Sequence, residues 1–103
     1  MDIQLTPDGF LVNVTDWTPQ IAEYLAQQQN IILTAEHWEI INLMRNFYFQ
    51  YNASPSIRAL VNAVKQQYGD SKGNSIYLHR LFPNKAAIQA NLIAGLPKPI
   101  RCI

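Results

Sequence analysis

One cysteine is present in the 103-residue chain, Cys102, and it stands next to last. A single intracellular cysteine is most often an inert small hydrophobe in a core, but chain ends are commonly exposed, so this position argues for an accessible thiol. Lys98 and Arg101 favour the nucleophilic thiolate, whereas the nearby terminal carboxylate opposes them. The surrounding Ala-Gly-Leu-Pro-Lys-Pro-Ile-Arg-Cys-Ile holds two prolines and a glycine, which excludes a regular helix and favours an extended arm. At about 3.1 Å per residue, the stretch 96–103 reaches roughly 25 Å, enough to carry a thiol into another protein's active site. Pro97 and Pro99 lower the ordering entropy of docking, and Gly95 offers a swivel at the base of the arm.

With no second cysteine, an atom of sulfur held on Cys102 as a persulfide is not expelled by an internal disulfide. Carriage of sulfur therefore fits this chain better than dithiol–disulfide cycling. His37 and His79 lie far from Cys102 in sequence and give no zinc-like spacing, so neither a metal nor another cofactor is expected. His37-Trp38-Glu39 is not read as a catalytic cluster, because adjacent helical side chains diverge. Trp38 is expected in the core, His37 at the surface or partly buried in a first turn, and His79-Arg80 in structural positions that can also line a docking surface.

The elements that position the thiol are legible from periodicity. Ile3-Gln4-Leu5 and Phe10-Leu11-Val12 flank Thr6-Pro7-Asp8-Gly9 and suggest a small N-terminal β-hairpin. Asp16 or Thr18 can cap a first helix with Pro19 in its first turn, carrying Ile21, Ala22, Leu25 and Ala26 on one face. Thr34 opens a second, aromatic-rich helix, expected to be the central and most buried one. After Asn52-Ala53, Ser54 caps a third helix that ends before Gly69 and forms a helix–turn–helix-like pair with the second. Lys72-Gly73-Asn74-Ser75 starts a short helix ended by Pro83, and a last one runs from Asn84 to about Ile93. The expected fold is mainly α with a small N-terminal β-hairpin, a compact helical bundle over residues 1–93 followed by a flexible C-terminal arm, 94–103.

Hydrophobic residues make up 49% of the chain, enough for one core, yet no apolar run is long enough to span a bilayer and no leader pattern opens the sequence. A soluble, cytoplasmic protein is expected. The net charge of +1 hides an asymmetry: only Asp70 among the acids follows Arg45, the first base. A basic face suited to an acidic partner is one reading of this pattern, and ordinary solvated charges the other.

Glu36-His37-Trp38-Glu39, Phe47-Tyr48, Ser54-Pro55-Ser56-Ile57-Arg58, Gly73-Asn74-Ser75-Ile76-Tyr77-Leu78 with Leu81-Phe82-Pro83, and the whole segment from Ala94 to Ile103 closely resemble the TusE/DsrC family. The resemblance covers nearly the whole chain and implies a mostly helical fold with an N-terminal hairpin and a functional cysteine, matching Cys102, on a C-terminal arm. DsrC-type members have a second cysteine at the place of Asn91, and its absence argues against a role with dissimilatory sulfite reductase. TusE-type members are implied to accept sulfur from the TusBCD complex and pass it to MnmA, which 2-thiolates the wobble uridine of certain tRNAs, with tRNA contact indirect. The expectation is thus a sulfurtransferase acting as a persulfide carrier on Cys102. The alternatives are a DsrC-like carrier for sulfite reductase and, from another class, a helix–turn–helix nucleic-acid-binding module. For the last, the third helix offers only Arg58 and Lys65 as cations, few for phosphate binding.

Overall fold

Thr18, in extended conformation, accepts a 3.2 Å hydrogen bond from the Ile21 N–H, and Pro19 follows with its φ already suited to a helix. Helix α1 (Pro19–Gln28) starts there in the computed structural model, which describes residues 3–97. Its apolar stripe, Ile21, Ala22, Leu25 and Ala26, is buried as the spacing predicts. Asn30 in the left-handed region (φ 60°) then turns the chain toward Thr34.

Helix α2 (Ala35–Tyr51) ends at Asn52, also left-handed (φ 55°). Helix α3 (Ile57–Tyr68) is capped by Ser56, whose hydroxyl accepts from the Ala59 N–H at 3.3 Å. The cap expected at Ser54 thus lies two residues later, and the Ser54 hydroxyl is instead engaged with the Pro97 carbonyl at 2.6 Å. Helix α4 (Ser75–Leu81) is capped by Asn74, which accepts from the Tyr77 N–H at 2.8 Å while its amide donates to the carbonyls of Asp70 and Ser71. Before α4, Gly73 leaves no room for a side chain against the Lys65 backbone.

Helix α5 (Ala86–Ile93), not α2, is the most buried element: every residue but the half-buried Ile88 is inside. Alanines at 86, 87 and 90 keep this helix thin, so α1, α2, α3 and α4 all pack on it. Helix α2 has a buried stripe of Ile40, Ile41, Leu43 and Met44, but its second half exposes Phe49 and Tyr51. Phe82, Leu25, Ile40, Met44, Leu60 and Leu78 fill the centre.

The expected β-hairpin is not formed among the described residues. It reduces to one antiparallel bridge, Leu5 with Leu11, supported by Thr6 N–H to the Phe10 carbonyl (2.7 Å) and Val12 N–H to the Gln4 carbonyl (2.9 Å). The reason lies in Phe10 and Leu11, adjacent and both buried. A regular strand sends neighbours to opposite faces, so burying both on one core breaks the strand after a single pair.

Candidate functional site: the root of the Cys102 segment

Cys102, Lys98 and Arg101 lie outside the described residues, so the site visible here is the place from which their segment departs. Helix α5 ends in a Schellman motif. The Gly95 N–H bonds the Leu92 carbonyl (3.1 Å) and the Leu96 N–H bonds the Asn91 carbonyl (3.0 Å), with Gly95 in the left-handed region at φ 71°. Ala94 and Leu96 are fully buried. Residues 94–96, grouped with the arm by composition, therefore pack into the domain, and Gly95 is a fixed stop instead of a swivel.

Trp17 and Arg45 enforce that stop. The Trp17 indole N–H donates to the Ile93 carbonyl at 3.1 Å, and its ring occupies the space that a Cβ on Gly95 would need. Arg45 projects from α2 and donates through Nη1 to the Ala94 carbonyl (2.6 Å) and through Nη2 to the Val14 carbonyl (3.3 Å). Its guanidinium carbon stacks 4.1 Å from the Trp17 ring centroid and 5.2 Å from that of Phe49. Burial lowers the Arg45 pKa, yet a guanidinium remains charged throughout the working range. Carbonyls left over at the end of α5 are thus met by a permanent cation at the negative end of the helix.

The loop between α2 and α3 closes the other side. Ser54 Oγ donates to the Pro97 carbonyl at 2.6 Å, and the buried Asn91 amide donates to the carbonyls of Pro55 (3.1 Å) and Ala87 (2.8 Å). Asn91 is fully buried, and its Oδ1 accepts no hydrogen bond. The side chain at position 91 therefore reaches the Pro55 carbonyl, in the same loop that Ser54 joins to Pro97.

The remaining sequence candidates take structural parts. His37 is buried at the N-terminus of α2: its Nδ1 accepts from the Thr34 N–H (3.1 Å) and its Nε2 lies 2.9 Å from the Leu81 carbonyl, so Nε2 carries the proton. His79 is exposed and bonds the Ser75 carbonyl one turn back through Nδ1 (2.7 Å). Trp38 packs against the core as expected. Between α2 and α3 runs a groove of about 610 Å³, lined by Asn46, Gln50, Asn62 and Gln66 with Phe47 and Tyr51 and by no charged residue, unlike a phosphate-binding surface. Among the described residues no group of His, Cys, Asp and Glu is arranged to hold a metal ion.

Sequence reasoning did not single out Trp17 or Arg45. Arg45 left a trace: it is the one charge between Glu39 and Arg58, inside the run Leu43-Met44-Arg45-Asn46-Phe47-Tyr48-Phe49. A cation placed among so many apolar neighbours needs partners, and here they are backbone carbonyls and rings.

The family model described as DsrC like protein matches residues 1–103. The chain belongs to the DsrC-like family. Among curated members, it is 53% identical to Sulfurtransferase TusE of Photorhabdus laumondii, over 99% of this chain and 92% of that protein. It is 52% identical to Sulfurtransferase TusE of Yersinia pseudotuberculosis, over 98% and 94%. Among solved structures, it is similar to Allochromatium vinosum DsrC, with a TM-score of 0.91 and 45% identity over 100% of this chain and 92% of that one. The oxidized gamma-subunit of the dissimilatory sulfite reductase (DsrC) from Archaeoglobus fulgidus follows at a TM-score of 0.86 and 36% identity, over 100% and 94%. The mainly helical DsrC-like fold is thereby established for this chain.

Proposed function

We propose that this protein is a sulfurtransferase of the TusE kind, a sulfur carrier that holds sulfane sulfur as a persulfide on Cys102. The observation that carries the reading is near-full-length identity of about half to proteins named Sulfurtransferase TusE. In the uptake step, the Cys102 thiolate attacks the outer sulfur of a donor persulfide, the donor S–S bond breaks and the donor thiolate leaves. Delivery repeats this exchange: a thiolate on the acceptor takes the outer sulfur and Cys102 leaves as thiolate. Each exchange conserves electrons, so no external oxidant or reductant is needed.

The proposed division is a helical domain with a C-terminal arm. Its fixed root is the Trp17–Arg45–Gly95 stop and the Ser54 bond to Pro97. A TusBCD-type complex is the proposed donor and an MnmA-type enzyme the proposed acceptor, for 2-thiolation of tRNA wobble uridine in the cytoplasm. Among the described residues no helix is long and apolar enough to cross a membrane, which is compatible with that setting. The likeness to DsrC structures favours a second reading, a carrier for sulfite reductase. Asn91 argues for the first: where the resembling DsrC-type chains have a second cysteine, this chain has a buried amide engaged with Pro55.

Intact-mass measurement after incubation with a cysteine desulfurase and upstream relay proteins tests the proposal. One additional sulfur, removed by reductant and absent from Cys102→Ser, is the expected result. A sulfur adduct on the serine variant would refute Cys102 as the carrier.

A further inference from the structure

Arg45 is half-buried, yet no carboxylate among the described residues is paired with it. Among the described residues its hydrogen bonds go to the neutral carbonyls of Ala94 and Val14, so no acid of residues 3–97 compensates its charge. The rings of Trp17 and Phe49 border this cation, and Phe49 is 61% exposed. A large apolar ring open to water beside a partly desolvated guanidinium that no acid of the described residues meets is the composition of an interface centre, where aromatics and arginine concentrate. It is not the composition of an ordinary solvated surface.

The location says what covers it. Arg45 grips Ala94, three residues before Pro97, and Cys102 follows five residues after Pro97. An extended stretch of that length reaches about 16 Å. A protein that exchanges sulfur with Cys102 therefore approaches the domain near this surface. The segment itself adds Lys98 and Arg101, so the approaching partner meets cations from the domain and the segment together.

We infer that the Trp17–Arg45–Phe49 surface is the docking face for the sulfur-accepting partner, which presents a carboxylate to Arg45 and an apolar side chain to Phe49. The inference rests on the relay reading above. An opposed carboxylate gains from a guanidinium already desolvated and held in one orientation, because less side-chain freedom remains to be lost on pairing. The contact sets how the partner is aimed, while Cys102 performs the chemistry.

The test uses the full-length protein, loaded with sulfur, in steady-state transfer to the proposed acceptor enzyme. Phe49→Glu places an acid against the partner's acid and is expected to raise KM at least tenfold with kcat within about twofold; Phe49→Ala gives a smaller rise in the same direction. For the wild type, KM should climb with added salt, and Arg45→Gln should flatten that slope. Reaction of Cys102 with a small disulfide reads the thiol without any docking and should be alike in wild type and both Phe49 variants. Wild-type KM in both Phe49 variants, or a KM indifferent to salt, would overturn the docking face alone. Failure of the wild type to transfer any sulfur would overturn the relay reading and this inference with it.

Discussion

The Ser54 hydroxyl donates a 2.6 Å hydrogen bond to the carbonyl of Pro97, joining the turn between α2 and α3 to the point where the Cys102 segment begins. The same turn is held from beneath by Asn91, which bonds the Pro55 carbonyl. Two polar side chains thus bind one loop to both ends of the α5 C-terminal stop, and each has a measurable consequence.

For Asn91→Cys, the new thiol replaces a fully buried amide under Pro55. Disulfide formation with Cys102 is short in loop length, which favours closure, but it needs the Ser54–Pro97 contact to open. We expect Asn91→Cys to form an internal disulfide and release sulfide during loading, and to do so faster when Ser54→Ala is added. Peptide mapping without reductant, alongside a sulfide assay, measures both. Equal rates with and without Ser54→Ala would show that the contact does not gate the approach.

Gly95→Ala should destabilise the fold by about 1–3 kcal/mol, because a side chain there is strained at positive φ and collides with Trp17. Trp17→Ala removes the collision but also the indole bond to Ile93. The double variant should consequently be more stable than the sum of the single losses implies. Denaturant melts of the four proteins give the coupling directly. Strict additivity would mean that Trp17 is not what excludes the side chain.

His37→Ala removes the acceptor for the Thr34 N–H and leaves the Leu81 carbonyl without its donor. A lost cap and an unsatisfied buried acceptor together cost about 2–3 kcal/mol. Sulfur loading of Cys102, measured well below the melting temperature, should remain at the wild-type level. A loading defect in a fully folded variant would give His37 a chemical part that its geometry does not support.

Alkaline pH should loosen the contact between α2 and the loop before α4. The hydrogen bond that Lys72 donates to Glu39 Oε1 at 2.8 Å raises the Lys72 pKa above its ordinary 10.5, and burial raises that of Tyr77 above its ordinary 10.0. Both groups hold their protons more tightly in the folded state. Their contribution is complete below pH 10 and is lost as pH rises past the ordinary values and through the folded ones. Melting temperature followed from pH 8 upward should fall in that window, and the fall should be shallower in Lys72→Met. An unchanged alkaline limb in Lys72→Met would remove Lys72 from the account.

Helix positions were readable because each is marked locally: Thr18 with Pro19, Thr34, Asn74, and the apolar spacings of α1 and α3 all act within one or two turns. The errors share a cause, since each needed a distant partner. Phe10 and Leu11 look like half of a hairpin until a core demands both. Ser54 looks like a cap until Pro97 arrives from 43 positions away. Gly95 looks free until Trp17 is laid over it, and α2 looks central until a run of alanines lets α5 take that place. Cys102 is proposed from its isolation in the sequence and lies outside the described residues, whereas Trp17 and Arg45 at the root of its segment were not legible, because their partners are carbonyls, which no sequence pattern advertises.

The fixed stop at Gly95 also sets a local concentration. In the relay proposed here, a thiol tethered at Pro97 is separated from its anchor by five residues, whereas a chain free from Ile93 onward would separate them by nine. Effective molarity at a reachable acceptor falls roughly as the three-halves power of tether length, so anchoring at Pro97 raises it about twofold. The gain needs no new contact with the partner. In the proposed arm it would follow from the shorter tether alone, which would make the hydrogen bonds of Trp17, Arg45 and Ser54 to three backbone carbonyls a control on encounter frequency as well as on shape.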